Sequence, residues 1–301
     1  MKDTYPSACI QILSSRWRAV PFAVRSINKL ANPGNYPFMV HYFDDIYKSK
    51  LLRKALSSVA SADVRFLEVP YSSPCHVPEA EMFYNRTEFE YVRRSFGINR
   101  KGYLHMCNFI INMYRYENTS IHDYDYLRVY DDEAGYLQKI PFEPAKFICD
   151  NDIELAALFY DYRLKDGKPH AGHIATKHKL FEFLTYYLDK YQIKPKSKEL
   201  VDCLAHPDPE YQFHFLKWAD SYVMKTSIFK SSEWRRWVKE INDHGGVYKY
   251  RWGDNEVYTL FGLMHYEYGV YDLGFVNDGF HHQSKYRRMQ DIAPSIKHID
   301  Y

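Results

Sequence analysis

Three acidic residues in a row, Asp131, Asp132 and Glu133, end a run of strand-forming residues at 124–130. Asp131 and Glu133 are two apart, so on an extended chain they share one side. Carboxylate oxygens at that spacing suit Mg2+ or Mn2+, with substrate phosphates completing the coordination shell. A cation held there neutralises charge on a departing phosphate. Acidic residues also close strands simply as turn formers, so the triplet alone leaves both roles open.

Two other segments carry chemistry-bearing side chains. Residues 247–254 read Val-Tyr-Lys-Tyr-Arg-Trp-Gly-Asp. Burying Arg251, Trp252 and Asp254 together is costly unless the charges are paired. Either Arg251 and Asp254 form a structural ion pair, or Asp254 is a catalytic or acceptor-binding carboxylate. Further on, His281 and His282 are adjacent in a late loop. Neutral imidazole is a serviceable Mn2+ ligand, which makes both candidates for the same cation. The chain has no GxGxxG, P-loop, HExxH or GxSxG segment, so the common dinucleotide, nucleotide, zincin and hydrolase signatures are absent.

The elements that must position these residues read as alternating strands and helices. Residues 8–13 form a short apolar strand, followed by Arg16, Arg18 and an amphipathic stretch to about residue 30. Residues 38–43 and 63–69 read as the next strands, with helical spacing at 51–59 between them. Leu104, Cys107, Ile110, Ile111 and Tyr114 repeat at three and four, which predicts a helix leading into the strand at 124–130. Beyond the acidic triplet come a strand-like run at 154–160, an aromatic helix at 180–191 and a charged linker at 194–198. A helix at 231–242 with Trp234, Trp237, Val238 and Ile241 on one face is ended by Gly245-Gly246. This order predicts an α/β chain with a mainly parallel, Rossmann-like sheet and helices on its faces. Ligands of such sheets sit outside the carboxyl ends of the strands, where the acidic triplet lies.

Composition narrows the classes. The chain's 301 residues carry 40 Lys+Arg against 38 Asp+Glu, a formal charge of +2, with no basic stripe for nucleic acid. The 18% aromatic fraction, mostly 29 Tyr and 19 Phe, suits interfaces and sugar-binding clefts as well as an ordinary core. Five widely spaced Cys without a CxxC pair argue against a disulfide scaffold or structural zinc. No apolar run approaches the roughly 20 residues that span a bilayer, so membrane insertion is not expected. The first residues lack a signal-peptide segment. A whole chain would be cytoplasmic; one trimmed of an N-terminal anchor would not. No linker divides the chain, so a single domain over 1–301 is expected.

Taken together, the segments resemble glycosyltransferase family 15, the fungal α-1,2-mannosyltransferases, from about residue 8 to about residue 282. Tyr103-Leu104-His105-Met106-Cys107 is similar to the family's Tyr-Arg-His-Met-Cys. Residues 124–133 align without gaps on Tyr-Asp-Tyr-Tyr-Trp-Arg-Val-Glu-Pro-Asp. Residues 229–234 and 245–254 follow the family's Phe-Arg-Ser helix, Gly-Gly turn and Arg-Trp-Gly-Asp. The resemblance implies a GT-A fold, a divalent cation (usually Mn2+), GDP-mannose as donor and retention at the anomeric carbon. It also implies a nucleotide-sugar-binding half at about 1–135, an acceptor-binding half at about 136–301 and, for a chain trimmed of an N-terminal anchor, the Golgi lumen. It places Asp131 at the family's metal-binding Glu and Glu133 at its Asp, and makes Asp254 a site residue. Arg16, Arg18, Tyr103, His105 and Asp132 join Asp131 as donor-binding candidates.

The chain departs from the family pattern at two positions. Tyr258 stands at the family's metal-binding His, and His281 or His282 is the candidate substitute. Tyr222 stands at its proposed nucleophilic Glu, with Asp220 two residues before it. Asp220 and Asp254 are therefore the candidate catalytic carboxylates. The expected function is metal-dependent transfer from a nucleotide-sugar, GDP-mannose or a UDP-sugar, to a glycan or glycoprotein acceptor. The alternative is a carbohydrate-binding protein that has lost catalysis.

Overall fold

The first strand, β1 (Ala8–Ser14), is buried along its whole length because polar side chains are rare in it and both faces are covered. It belongs to a computed structural model that describes residues 4–14, 19–43, 48–69, 77–90, 101–116, 120–136, 138–160, 177–206, 216, 218–274 and 280–281. Helix α1 (Val20–Ala31), with proline in its first turn, returns the chain to β2 (Phe38–Tyr42), which lies parallel to β1. Helix α2 (Lys50–Ser57), N-capped by Ser49, leads to β3 (Val64–Glu68), parallel to β2. These βα units are the alternation read from the sequence.

Helix α3 (Lys101–Asn112) feeds β4 (Tyr126–Asp131), which pairs parallel with the other side of β1. The acidic turn follows, then the two-residue β5 (Gly135–Tyr136), helix α4 (Pro144–Asp150) and β6 (Leu155–Tyr160). Helices α5 (Leu180–Tyr191) and α6 (Lys198–Ala205) precede β7 (Trp218–Lys225). The charged linker therefore ends at residue 197, and Lys198 opens a helix. Helices α7 (Ser232–His244), α8 (Gly246–Tyr250) and α9 (Asp254–His265) lead to β8 (Tyr271–Asp272) and β9 (Phe280–His281).

The seven-stranded sheet runs β3-β2-β1-β4-β7-β6-β8. All its pairings are parallel except those of β7, which lies antiparallel between β4 and β6. Alternation along the strands sends Cys9, Leu13, Leu127, Val129 and Tyr222 to one core, with α3, α5, α7 and α9. Ile10, Ile12, Tyr130 and Val223 face the other core, with α1 and α4. In α7, Trp234, Trp237, Val238 and Ile241 are buried, the face that the sequence predicts. Truncating either indole would cost about 3–5 kcal/mol. Gly245 ends α7 at φ +74°, a left-handed conformation that few side chains tolerate.

Candidate active site

Asp131 is the last residue of β4, opposite Leu13 of β1, so it stands at the carboxyl end of the parallel strands. It is one residue beyond Tyr130, which faces the α1 side, and alternation turns it to the α9 side. Asp132 and Glu133 make the turn that follows, with the Ala134 amide donating to the Asp131 carbonyl at 3.0 Å. Asp132 is buried, whereas Asp131 and Glu133 keep partial exposure.

Asp254 reaches the same place from the other side of the chain. Arg251 adopts φ +65°, an uncommon conformation for a residue with a side chain, and turns α8 into the approach to α9. Gly253 is the N-cap of α9, and Asp254 is the first helical residue. The Glu256 carboxylate folds back over Gly253, where an added Cβ would lie 2.4 Å from its Oε2. Asp254 is hemmed in by protein, and burial, the charge of Asp131 and the charge of Glu256 together push its carboxyl up to about 7. A backbone amide and the neighbouring Cys107 side chain favour its ionised form and partly offset that rise. Burial, followed by the charge of Asp254, holds the Cys107 thiol itself well above its usual range.

Helix α3 supplies the floor. Tyr103 lies one turn before Cys107, and the Arg251 guanidinium sits 4.4 Å from the centre of the Tyr103 ring. Burial raises the Tyr103 phenol, with Asp254 and Glu256 adding to it and Arg251 opposing. Arg251 is thus stacked on the Tyr103 ring, and it and Asp254 act on the Tyr103 phenol in opposite directions. His105 is engaged elsewhere: its Nδ1 lies 3.1 Å from the Tyr248 hydroxyl.

The two positions that depart from the family pattern are both in the core. Tyr258 is fully buried, donates to the Ile110 carbonyl at 2.9 Å and stacks on Trp234 at 4.7 Å. A phenol so placed is not a metal ligand. Tyr222 is buried, with its hydroxyl bonded to the Asn255 carbonyl at 3.1 Å and to the Asn255 side chain, beside Asp254. Asp220 precedes it at an irregularity in the ladder, where Leu158 pairs with Ser221 and Phe159 with Ala219. Asp220 is therefore the extra residue of a β-bulge, at the end of β7 nearest Asp131; its side chain lies outside the described residues.

The remaining candidates are placed in part. The backbone of His281 pairs with Gly135, two residues past Glu133, which brings β9 beside the acidic turn. The His281 side chain, and His282, Arg16 and Arg18 entirely, lie outside the described residues. Among the described residues no group of three His, Cys, Asp or Glu side chains forms a closed metal site. What is present fits an open one: hard carboxylate oxygens at a strand end, of the kind that holds Mg2+ or Mn2+ jointly with phosphate. Sequence reasoning did not foresee Cys107 as a neighbour of Asp254 or Asn255 as the anchor of Tyr222. Only the placement of Cys107 in the Tyr-Leu-His-Met-Cys segment hinted at the first.

No known family model matches the chain. A probable mannosyltransferase, MNT3 of Candida albicans, is 23% identical over 206 residues, covering 65% of this chain and 48% of its own length. The chain thus spans about half of that curated relative. The solved structure of core-mannan synthase A (CmsA/Ktr4) from Aspergillus fumigatus, in its Mn/GDP form, superposes with a TM-score of 0.70. The match covers 94% of this chain and 76% of that one at 12% identity. The fold is GT-A. The mannosyltransferase Ktr4p from S. cerevisiae, solved with GDP, agrees equally well, with a TM-score of 0.70 over 92% of this chain and 71% of that one at 15% identity. The strand end carrying Asp131 lies at the carboxyl edge of the parallel strands, the edge at which open α/β sheets take their ligands. Among the described residues no helix is long and apolar enough to cross a membrane. Cys9, Cys107, Cys149 and Cys203 are free thiols.

Proposed function

We propose that this chain is a metal-dependent glycosyltransferase that moves a sugar from a nucleotide-sugar to a glycan or glycoprotein acceptor. GDP-mannose is the donor that the resemblance favours, with UDP-sugars the competing class. One observation carries the reading: Asp131 at the end of β4 and Asp254 at the start of α9 converge closely enough for one to raise the other's pKa. The GDP and Mn named for the structural relatives support the same assignment.

Asp131 and Glu133 would hold the cation, with His281 or His282 completing its protein ligands. Mn2+ or Mg2+ supplies a Lewis acid for the diphosphate leaving group. Arg16 and Arg18, which follow β1 in sequence, would add charge-assisted bonds to the phosphates. Tyr103, partly exposed on α3 with Arg251 over its ring, would contribute aromatic surface to the donor side. Asp254, poised near neutrality, either takes the proton of the acceptor hydroxyl or, ionised, stabilises positive charge developing at the anomeric carbon. Asp220 on its bulge is the second carboxylate available for that task. Residues 1–135 serve the donor and residues 136–301 the acceptor.

The test is a transfer assay with GDP-mannose and UDP-sugars, with and without Mn2+, reading the product anomer by NMR. Retention is the expected outcome. Inversion would instead assign Asp254 or Asp220 as a base acting from the opposite face. A carbohydrate-binding protein without catalysis is the second reading, favoured by Tyr222 and Tyr258 filling two family positions with core phenols. Tight glycan binding with no donor turnover in any metal would establish it.

A further inference from the structure

Beneath the acidic turn, on the face of the sheet opposite Asp254, lies a buried polar network that the proposed chemistry does not use. Arg128 of β4 is fully buried and pairs with Glu143 at 3.0 Å, with their side chains 0% and 1% exposed. One Arg128 nitrogen also donates to the Ala31 carbonyl at the end of α1, at 2.6 Å. The other donates to the Tyr130 hydroxyl. The Tyr130 and Tyr136 hydroxyls share a hydrogen bond of 3.1 Å. Glu143 is satisfied in turn, capping α4 through the Ala145 and Lys146 amides and accepting from Tyr36 at 2.9 Å.

The topology gives this network its meaning. Tyr130 is the residue before Asp131, and Tyr136 follows the turn that Asp131, Asp132 and Glu133 begin. The two phenols are therefore the feet of one turn, tied together and to a guanidinium that cannot lose its proton. Tyr136 is fixed a second time, because its amide donates to Ser26 Oγ at 3.3 Å. Gly135 allows that approach: a Cβ there would lie 2.3 Å from Ser26 Oγ and 2.8 Å from Phe22. The backbone of Tyr136 also pairs with Phe280, so the same feet set the position of the β9 segment that carries His281. A buried ion pair is often no more stabilising than apolar residues of equal volume. Stability alone therefore does not account for it.

We propose that Tyr130 and Tyr136 are positioning residues: through the hydroxyl chain to Arg128 they hold the acidic turn from below and fix the direction in which Asp131 presents its carboxylate. The proposal rests on the reading of Asp131 as a cation ligand, and it extends that reading to side chains that touch no ligand. Outer-shell groups that orient a ligand typically matter about 10–100-fold in metal affinity.

The experiment compares Tyr130→Phe, Tyr136→Phe and Tyr36→Phe with the parent chain. Each substitution removes a hydroxyl and keeps its ring, so all three should fold. Tyr36→Phe removes a hydrogen bond to the far side of Glu143 and leaves the turn's feet intact. Mn2+ affinity in the presence of GDP, read by electron paramagnetic resonance, should fall about tenfold in Tyr130→Phe and Tyr136→Phe and stay within about twofold in Tyr36→Phe. Amide exchange at Ala134 and Tyr136 should accelerate in the same two variants and not in the third. Unchanged exchange in both feet variants, or equal losses in all three, would overturn the positioning role. If the parent binds no Mn2+ with GDP or UDP, the cation reading fails on its own, and the exchange data still decide whether the phenols fix the turn.

Discussion

A close approach between Cys107 on α3 and Asp254 at the start of α9 lets each perturb the other's ionisation. It joins the segment resembling the family's Tyr-Arg-His-Met-Cys to the one matching Arg-Trp-Gly-Asp, two stretches nearly 150 residues apart in sequence. Cys107→Ala removes a side chain that favours the ionised form, so the Asp254 titration should move up further. The matching alkaline displacement of the pH–rate profile is measurable by initial rates from pH 5 to 9. Cys107→Ser, which keeps a polar side chain, should move it less.

Asp254 also makes stability depend on pH. Its carboxyl titrates at about 7 in the folded chain against a reference of 3.8, so the folded state binds the extra proton between those values. The contribution of protonated Asp254 is complete below pH 4, declines as pH rises and is lost above 7. Asp254→Asn should therefore leave the melting temperature near the parent value at about pH 4. At pH 8 it should raise it, by the equivalent of ~1–3 kcal/mol, while abolishing transfer. A uniform loss of stability at both pH values in thermal melts would contradict this assignment.

Tyr258 offers a test of the departure from the family pattern. Its hydroxyl serves the Ile110 carbonyl, so Tyr258→Phe should cost about 1 kcal/mol in chemical denaturation and leave Mn2+ dependence as it is. A large fall in metal affinity would show that the phenol serves the cation instead.

Gly246 sets the approach of the Arg-Trp-Gly-Asp segment. A Cβ there would lie 2.1 Å from the Trp252 ring, which is buried and donates from its indole nitrogen to the His178 carbonyl at 2.7 Å. Gly246→Ala should displace Trp252 and destabilise the fold by about 1–3 kcal/mol. It should also lower kcat, because Asp254 follows two residues later. Intrinsic Trp fluorescence and a urea melt read the first effect.

The parallel half of the fold was legible because its strands are short apolar runs separated by amphipathic helices, as in residues 8–69. Strand β7 was not, since Asp220 and Ser221 interrupt its apolar pattern at the bulge. Helix α9 escaped for the opposite reason: residues 255–264 are all buried, which leaves no polar face to mark a helical period. Within the site, Asp131 and Asp254 stood out by their place at the ends of recognisable segments. The Arg128–Glu143 pair gave no local signal, because its partners lie on different elements and only the folded sheet brings them together.

The central claim is that Asp131 holds a cation that binds the donor's diphosphate. Isothermal titration of GDP into the parent and into Asp131→Ala, with Mn2+ and with chelator, tests it most directly. The account predicts GDP binding by the parent only when Mn2+ is present, and none by Asp131→Ala in either condition. GDP bound equally well without Mn2+, or by Asp131→Ala with it, would contradict the account.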